Sequence, residues 1–266
     1  MKEVISAIRN EVITLNELAA SLNSEQWQSP TKFKDWSPEL IISHLYYFDL
    51  MTIYSHNNHE KFDEEAKFLF STYVEIKQSL PRAQKVLERL KSSNYQELVE
   101  AWLIGNSLMC EVFEKIDPKK RCRWFGPDMG ARMFMTARYM ETWSHSQAIY
   151  DLINIQRDYS DDIKNIANIG VKTFEWTYIN RKLEVPKSKP FIQLIAPSGK
   201  QWEWNTDTSD NSVIGLASDF CHVVTQNRNI VDTNLEVKGE IAKHWMSIAQ
   251  CFAGDPEEPP DIGSRV

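Results

Sequence analysis

Apolar positions recur at helical spacing through roughly the first 155 residues, and the pattern then changes. Residues 2–22 form one amphipathic run with charges throughout, which predicts a mature helix and not a signal peptide. The stretch DWSPEL announces the next helix. Ser37 is suited to cap it, Pro38 fits the first turn, Glu39 suits the positive end of the dipole, and the run continues to about His56. Two further helical runs are expected over 63–91, with Pro81 as a kink or break, and over 95–116. IDPKKRCRWFGPDMG, residues 116–130, carries two prolines and two glycines and predicts a loop. A last long helix is expected over 130–155.

Beyond DYSDD at 158–162 one more helix is expected, ending near Lys182. PFIQLIAPSGKQWEWN then predicts two short strands around a Pro-Ser-Gly-Lys turn. A helix near 212–226, a strand at 235–239 and a helix at 240–252 follow. The fold expected is mainly α: a four-helix bundle over 1–160 with a smaller α+β domain over 161–254. Residues 255–266 are expected to be a disordered tail. There is no internal repeat and no low-complexity segment.

Composition narrows the function classes. With 42% hydrophobic and 25% charged residues the chain is globular, and its length supports a real core. A net charge of −7 argues against nucleic acid or an anionic membrane as the main partner. KKRCR at 119–123 is the only dense basic run, and it reads as a solvated loop. No apolar stretch approaches the ~20 residues of a membrane span. The four cysteines lack C-x-x-C spacing and the density of a secreted disulfide scaffold, so a cytoplasmic protein is expected. Nine tryptophans suit a pocket for a flat or apolar ligand as well as a core.

No phosphate-cradling P-loop, dinucleotide fingerprint, serine-hydrolase elbow or H-E-x-x-H is present, so the six histidines come into focus. Ile41, His44, Leu45 and Phe48 share one helical face. Phe134, Ala137, Glu141, His145, Ala148 and Leu152 share another. Ionisable groups on core-facing stripes are costly unless satisfied. Were the two helices neighbours in a bundle, His44, Glu141 and His145 could meet. Two imidazoles and a carboxylate are a ligand set for zinc, nickel or ferrous iron, with positions left open. Hydrogen-bonded core histidines and a Glu–His pair on a helix surface remain the plainer reading of the same spacing.

The segment FKDWSPELIISHLYYFD resembles the W-[TS]-x-x-x-x-x-x-H-L-x-x-x-D signature of the maleylpyruvate isomerase N-terminal, DinB-like superfamily. WFGPDMGARMFMTARYMETWSHSQ is similar to its second signature, W-[YF]-G-P-x-M followed by A-R-x-M-E-x-W-x-H-x-Q. The resemblance implies a four-helix bundle binding a divalent metal, zinc or nickel in most relatives. It also implies His44, Glu141 and His145 as the ligands. Several members take a low-molecular-weight thiol as cosubstrate, among them mycothiol-dependent maleylpyruvate isomerase and the bacillithiol transferases. LASDFCHVVTQNR and LEVKGEIAKHWMSIAQCFAG are similar to C-terminal segments of the family, which places Arg228 at its C-terminal arginine. One departure is Ala148, where relatives often carry aspartate; Asp151 is the nearest substitute.

On this basis the expected function is metal-dependent activation of a thiol for addition, transfer or cis–trans isomerisation of a small electrophilic substrate. A metal- or ligand-binding module without turnover, or a metal-hydroxide hydrolase, are the alternatives. Arg228 is the candidate catalytic residue, clamping a substrate carboxylate; as a helix C-terminal cation it would have no such role. Zinc is the expected metal, with nickel or iron as alternatives, and a monomer or homodimer is expected. Cys122 lies between Arg121 and Arg123, which favours a thiolate, although it also fits an ordinary loop cysteine. Trp124, Phe125, Pro127 and Met129 are candidate pocket walls, and His56 and His59 read as solvent-side.

Overall fold

The structure, a computed structural model, describes all residues except 126–127, 208–209 and 266. It divides into two compact units, Met1–Ile155 and Gln156–Val266. No helix among the described residues is long and apolar enough to cross a membrane.

Unit 1 is built on four long helices. α1 (Lys2–Ala20) buries Val4, Ile5, Ile8, Val12 and Leu15 along one stripe. The short α2 (Ser24–Gln28), which the hydrophobic pattern does not announce, is closed by a capping box between Asn23 and Gln26. α3 (Pro38–Asn57) starts as expected, with the Ser37 hydroxyl accepting from the Leu40 amide. α4 (His59–Glu75) and α5 (Ser79–Leu90) replace the single run expected over 63–91. The chain breaks at residues 76–78, upstream of Pro81. The proline falls in the first turn of α5, where a missing amide costs nothing. α6 (Tyr95–Glu114) and α7 (Ala131–Ile153) complete the unit. Between them the expected loop contains a minimal antiparallel pair, β1 (Arg121–Cys122) with β2 (Met129–Gly130).

α3 packs on α6 and α7, and α1 packs on the same two, so the four close a bundle while α4 and α5 cover the outer side of α3. That cover explains why α3 buries residues all round, from Leu40 and Ile41 to Tyr47 and Ile53, and is not a one-faced helix. The α3–α6 interface is the more extensive of α3's two bundle interfaces. It is also close: a Cβ on Gly105 would lie 2.7 Å from the Tyr46 ring. The core between the helices is filled by Ile8, Leu15, Ile41, Leu45, Trp102, Phe113, Phe134 and Trp143.

Unit 2 begins with a 3₁₀ turn at Asp161–Ile163, then α8 (Lys164–Lys172) and α9 (Phe174–Asn180). The sequence predicts one helix here; Thr173 separates the two, its hydroxyl turned back onto the Ile169 and Gly170 carbonyls. β3 (Phe191–Ile195) and β4 (Gln201–Trp204) form the expected hairpin. The helix expected over 212–226 is instead β5 (Ser212–Leu216) followed by α10 (Ala217–Val224). Val213 and Ile214 are β-branched, and β5 lies parallel to β3, which a short apolar run does not reveal. β6 (Glu236–Lys238) completes the sheet order β4-β3-β5-β6, and α11 (Glu240–Ile248) follows.

The expected disordered tail is also corrected over residues 255–265. The buried amide side chains of Gln226 and Gln250 require partners, and the tail backbone supplies them. Gln226 donates to the Glu257 carbonyl (2.8 Å), and Gln250 accepts from the Glu257 amide (2.9 Å). Asn229 donates to the Pro260 carbonyl, and Asp232 accepts from the Gly263 amide, each at 2.9 Å.

Candidate metal centre

His44 comes from the middle of α3, and Glu141 and His145 lie one turn apart on α7. The packing of α3 on α7 brings the three together, in keeping with the apolar stripes that these polar residues interrupt. Glu141 Oε2 is 3.5 Å from His44 Nε2 and 3.2 Å from His145 Nε2. The two imidazole rings are 4.5 Å apart, and one donor atom from each residue falls within a 4.8 Å group. Their side chains are mostly enclosed, with 19%, 24% and 11% of the surface of His44, Glu141 and His145 exposed.

These separations are long for charge-assisted hydrogen bonds, which lie near 2.7–2.9 Å. They match the edges of a tetrahedron: ligand atoms about 2.1 Å from a zinc ion stand roughly 3.4 Å from each other. Polar groups beside the trio are also left over. Among the described residues, His145 Nδ1 is buried without a hydrogen-bond partner, and so is Nε1 of Trp36, whose ring stacks on His145 at 5.8 Å and 4°. A divalent cation fits this donor set, with His44, Glu141 and His145 as the residues that would hold it.

Electrostatics agree with a ligand role. Burial, with the nearby His145, lowers the His44 pKa to about 4, against the opposing pull of Glu141, so its imidazole is neutral at ordinary pH. Burial alone would raise Glu141, but hydrogen bonds to His145 and His44 outweigh it and hold the carboxyl well below its usual range. A neutral imidazole and an ionised carboxylate are the forms in which such groups ligate metals.

The walls differ from those expected. Phe33 meets His145 edge-on at 4.9 Å, Trp36 faces both histidines, and Phe48 lies 4.7 Å from His44. Trp124 and Phe125 stand behind Phe48, at 6.1 and 6.0 Å from it. Met129 is held in β2 opposite Cys122, and Pro127 lies outside the described residues. Phe33 and Trp36 escape a sequence reading as walls because they precede α3, where no helical period points inward. Ala148 is buried, and Asp151 accepts from the Gln147 amide at 2.9 Å.

Other candidates separate clearly. Cys122 is buried, and burial raises its thiol pKa against the pull of Lys120, which removes the reason to expect a thiolate. No disulfide joins the four cysteines among the described residues. His59 is exposed, and the half-buried His56 contacts Lys120 Nζ through Nδ1 at 3.1 Å. Arg228 lies in unit 2, just after α10, where its guanidinium donates to the Asn227 carbonyl at 3.0 Å. Nearby, His222 is buried against the Tyr159 hydroxyl at 2.8 Å. Burial first, and then the charges of Arg228 and Arg157, hold its pKa well below the usual range.

Residues 8–150 match the family model of the mycothiol maleylpyruvate isomerase N-terminal domain, more than half of the chain and all three candidate ligands. The chain belongs to this family. Two uncharacterized proteins of Mycobacterium tuberculosis, from strains CDC 1551 and H37Rv, are each 29% identical over 252 residues, covering 95% of this chain and 96% of their own. Among solved structures, the mycothiol-dependent maleylpyruvate isomerase aligns with a TM-score of 0.50 at 9% identity, and a histidine-to-alanine mutant of it with 0.53 at 10%. Each alignment covers 84% of this chain and 87% of that one, and at such identity the likeness is one of fold.

Proposed function

We propose that the protein is a divalent-metal enzyme that activates a low-molecular-weight thiol toward a small electrophilic substrate, by addition, transfer or cis–trans isomerisation. The observation that carries this reading is the His44–Glu141–His145 trio, with donor separations that fit a metal better than they fit hydrogen bonds. The aligned isomerase is mycothiol-dependent, and for this chain the thiol class is adopted from it as the proposal. A bound divalent cation, zinc foremost, would supply Lewis acidity that stabilises a thiolate at neutral pH.

The chain's own residues do the rest. His44 and His145 offer ring nitrogens and Glu141 a carboxylate, so the only charge that the ligands themselves would bring to a dication is that of Glu141, leaving net positive charge for an anionic sulfur. Phe33, Trp36 and Phe48 surround the histidines with apolar surface, which excludes water and strengthens every charge interaction there. Arg228 is proposed to bind a substrate carboxylate through its two-pronged guanidinium. The free cysteines agree with a cytoplasmic location.

The test is metal analysis of untagged protein, then cobalt substitution and titration with glutathione, bacillithiol, mycothiol and coenzyme A. About one metal per chain is expected, lost for the most part in His145→Ala. The correct thiol should produce sulfur-to-metal charge-transfer absorption, unchanged in Cys122→Ala. Wild-type metal affinity in His145→Ala would reject the ligand set, and a spectrum indifferent to all four thiols would reject the thiol chemistry. For Arg228, the Lys variant should retain its metal but raise KM or lower kcat on a carboxylate substrate. Unchanged kinetics would reject that role for Arg228.

A further inference from the structure

A second buried polar cluster joins the same two helices to α6. Arg138 on α7 donates through Nε to Asp49 Oδ1 on α3 at 3.0 Å and through a terminal nitrogen to the Leu45 carbonyl at 3.2 Å. Asn106 on α6 donates to Asp49 Oδ2 at 2.9 Å. Arg138 and Asp49 are 3% and 0% exposed, and Asn106 is buried with them.

The placement of this cluster is what matters. Leu45 directly follows His44, and Arg138 precedes Glu141 by three residues and His145 by seven, so it shares their face of α7. One guanidinium therefore ties the α7 turn beside both ligands to the α3 backbone beside the third. The α3–α7 interface is much smaller than the α3–α6 interface, so apolar packing alone sets the α3–α7 spacing weakly. A metal site tolerates little drift, because a displacement near 1 Å spoils ligand geometry. Asp49 holds the guanidinium in place and Asn106 orients Asp49, so the chain of contacts runs from α6 through α3 to α7.

We infer that Arg138, held by Asp49 and Asn106, is the positioning residue of the metal centre, setting His44 at ligating distance from Glu141 and His145. This rests on the metal reading above. None of the three touches the ligands' donor atoms; they act through the helices that carry them.

The experiment separates positioning from ordinary support of the fold. In the triple variant Asp49→Leu/Asn106→Leu/Arg138→Met, apolar side chains replace the whole cluster, leaving no charge unpaired and preserving the fold. Stability to urea, zinc affinity and the visible spectrum of the cobalt form are measured on it and on wild type. The expected result is a near-wild-type urea midpoint with a 10–100-fold loss of zinc affinity, the range typical when groups that orient ligands are removed, and an altered cobalt spectrum. If the triple variant does not fold, Arg138→Lys gives the reading. It keeps the charge beside Asp49 but cannot fork to the Leu45 carbonyl, and the same loss is expected. A folded variant with wild-type zinc affinity and cobalt spectrum would overturn the inference. Wild type that binds no zinc would overturn the metal reading beneath it, a different result visible before any variant is made.

Discussion

Two buried polar clusters bridge α3 and α7, one of them with a member from α6, and they differ in how closely their groups meet. In the Asp49–Asn106–Arg138 cluster the contacts run from 2.9 to 3.2 Å, and the Asp49 carboxylate accepts at both oxygens. In the His44–Glu141–His145 cluster the contacts are 3.2 and 3.5 Å, one carboxylate oxygen serves both rings, and His145 Nδ1 has no partner. The first cluster pairs opposite charges directly at hydrogen-bonding distance. The second holds its facing nitrogen and oxygen atoms farther apart, which is what distinguishes a ligand site from scaffold when both are built from ionisable side chains.

The largest test of this contrast is Arg138→Ala. It leaves the Asp49 carboxylate buried and unpaired, and should cost about 3–5 kcal/mol of stability in urea denaturation. His145→Ala, with no metal bound, should cost clearly less, because its partner Glu141 keeps His44 and some access to water. Equal losses would erase the distinction.

A smaller effect is expected from pH. The His44 pKa lies at about 4 in the folded chain, against 6.5 for an unperturbed histidine, so the unfolded chain binds more protons between these values. The contribution of His44 is complete above pH 6.5 and is lost as the pH falls toward 4, by roughly 3 kcal/mol at most for a displacement of that size. Urea midpoints of the metal-free protein across this window, with and without His44→Gln, measure it. A variant as acid-sensitive as wild type would show that His44 is not the group responsible. The smallest effect is Asn106→Ala, which removes one donor from a buried carboxylate and should cost about 1.5–3 kcal/mol. A loss below about 0.5 kcal/mol, within ordinary surface scatter, would show the scaffold cluster to be less tightly satisfied than its distances imply.

Much of this is legible in the sequence, for identifiable reasons. The long helices of unit 1 carry sustained periodicity and a cap at Ser37, and the trio interrupts two apolar stripes that only a core could explain. Asp49 and Arg138 are fixed positions of the two signature segments, yet the sequence does not show that they pair. Their role depends on pairing across helices, and a single helix's period cannot show which buried charges meet. Short elements fail for a different reason. SVIGL at 212–216 is as apolar as a helix segment, and only the parallel partner β3 makes it a strand. The tail reads as disordered because it has no apolar pattern, whereas what holds it is the amide side chains of distant residues.

Those amide contacts have a consequence for how the end of the chain tolerates change. Gln226, Gln250, Asn229 and Asp232 grip carbonyls and amides of Glu257, Pro260 and Gly263. Main-chain groups are the same whatever residue bears them, so the clasp reads the length and course of the segment far more than its spelling. Most substitutions between 255 and 262 should pass unnoticed, while a deletion of a single residue there shifts every later group out of its slot. Gly263, with φ of +72°, is a position where identity and path coincide.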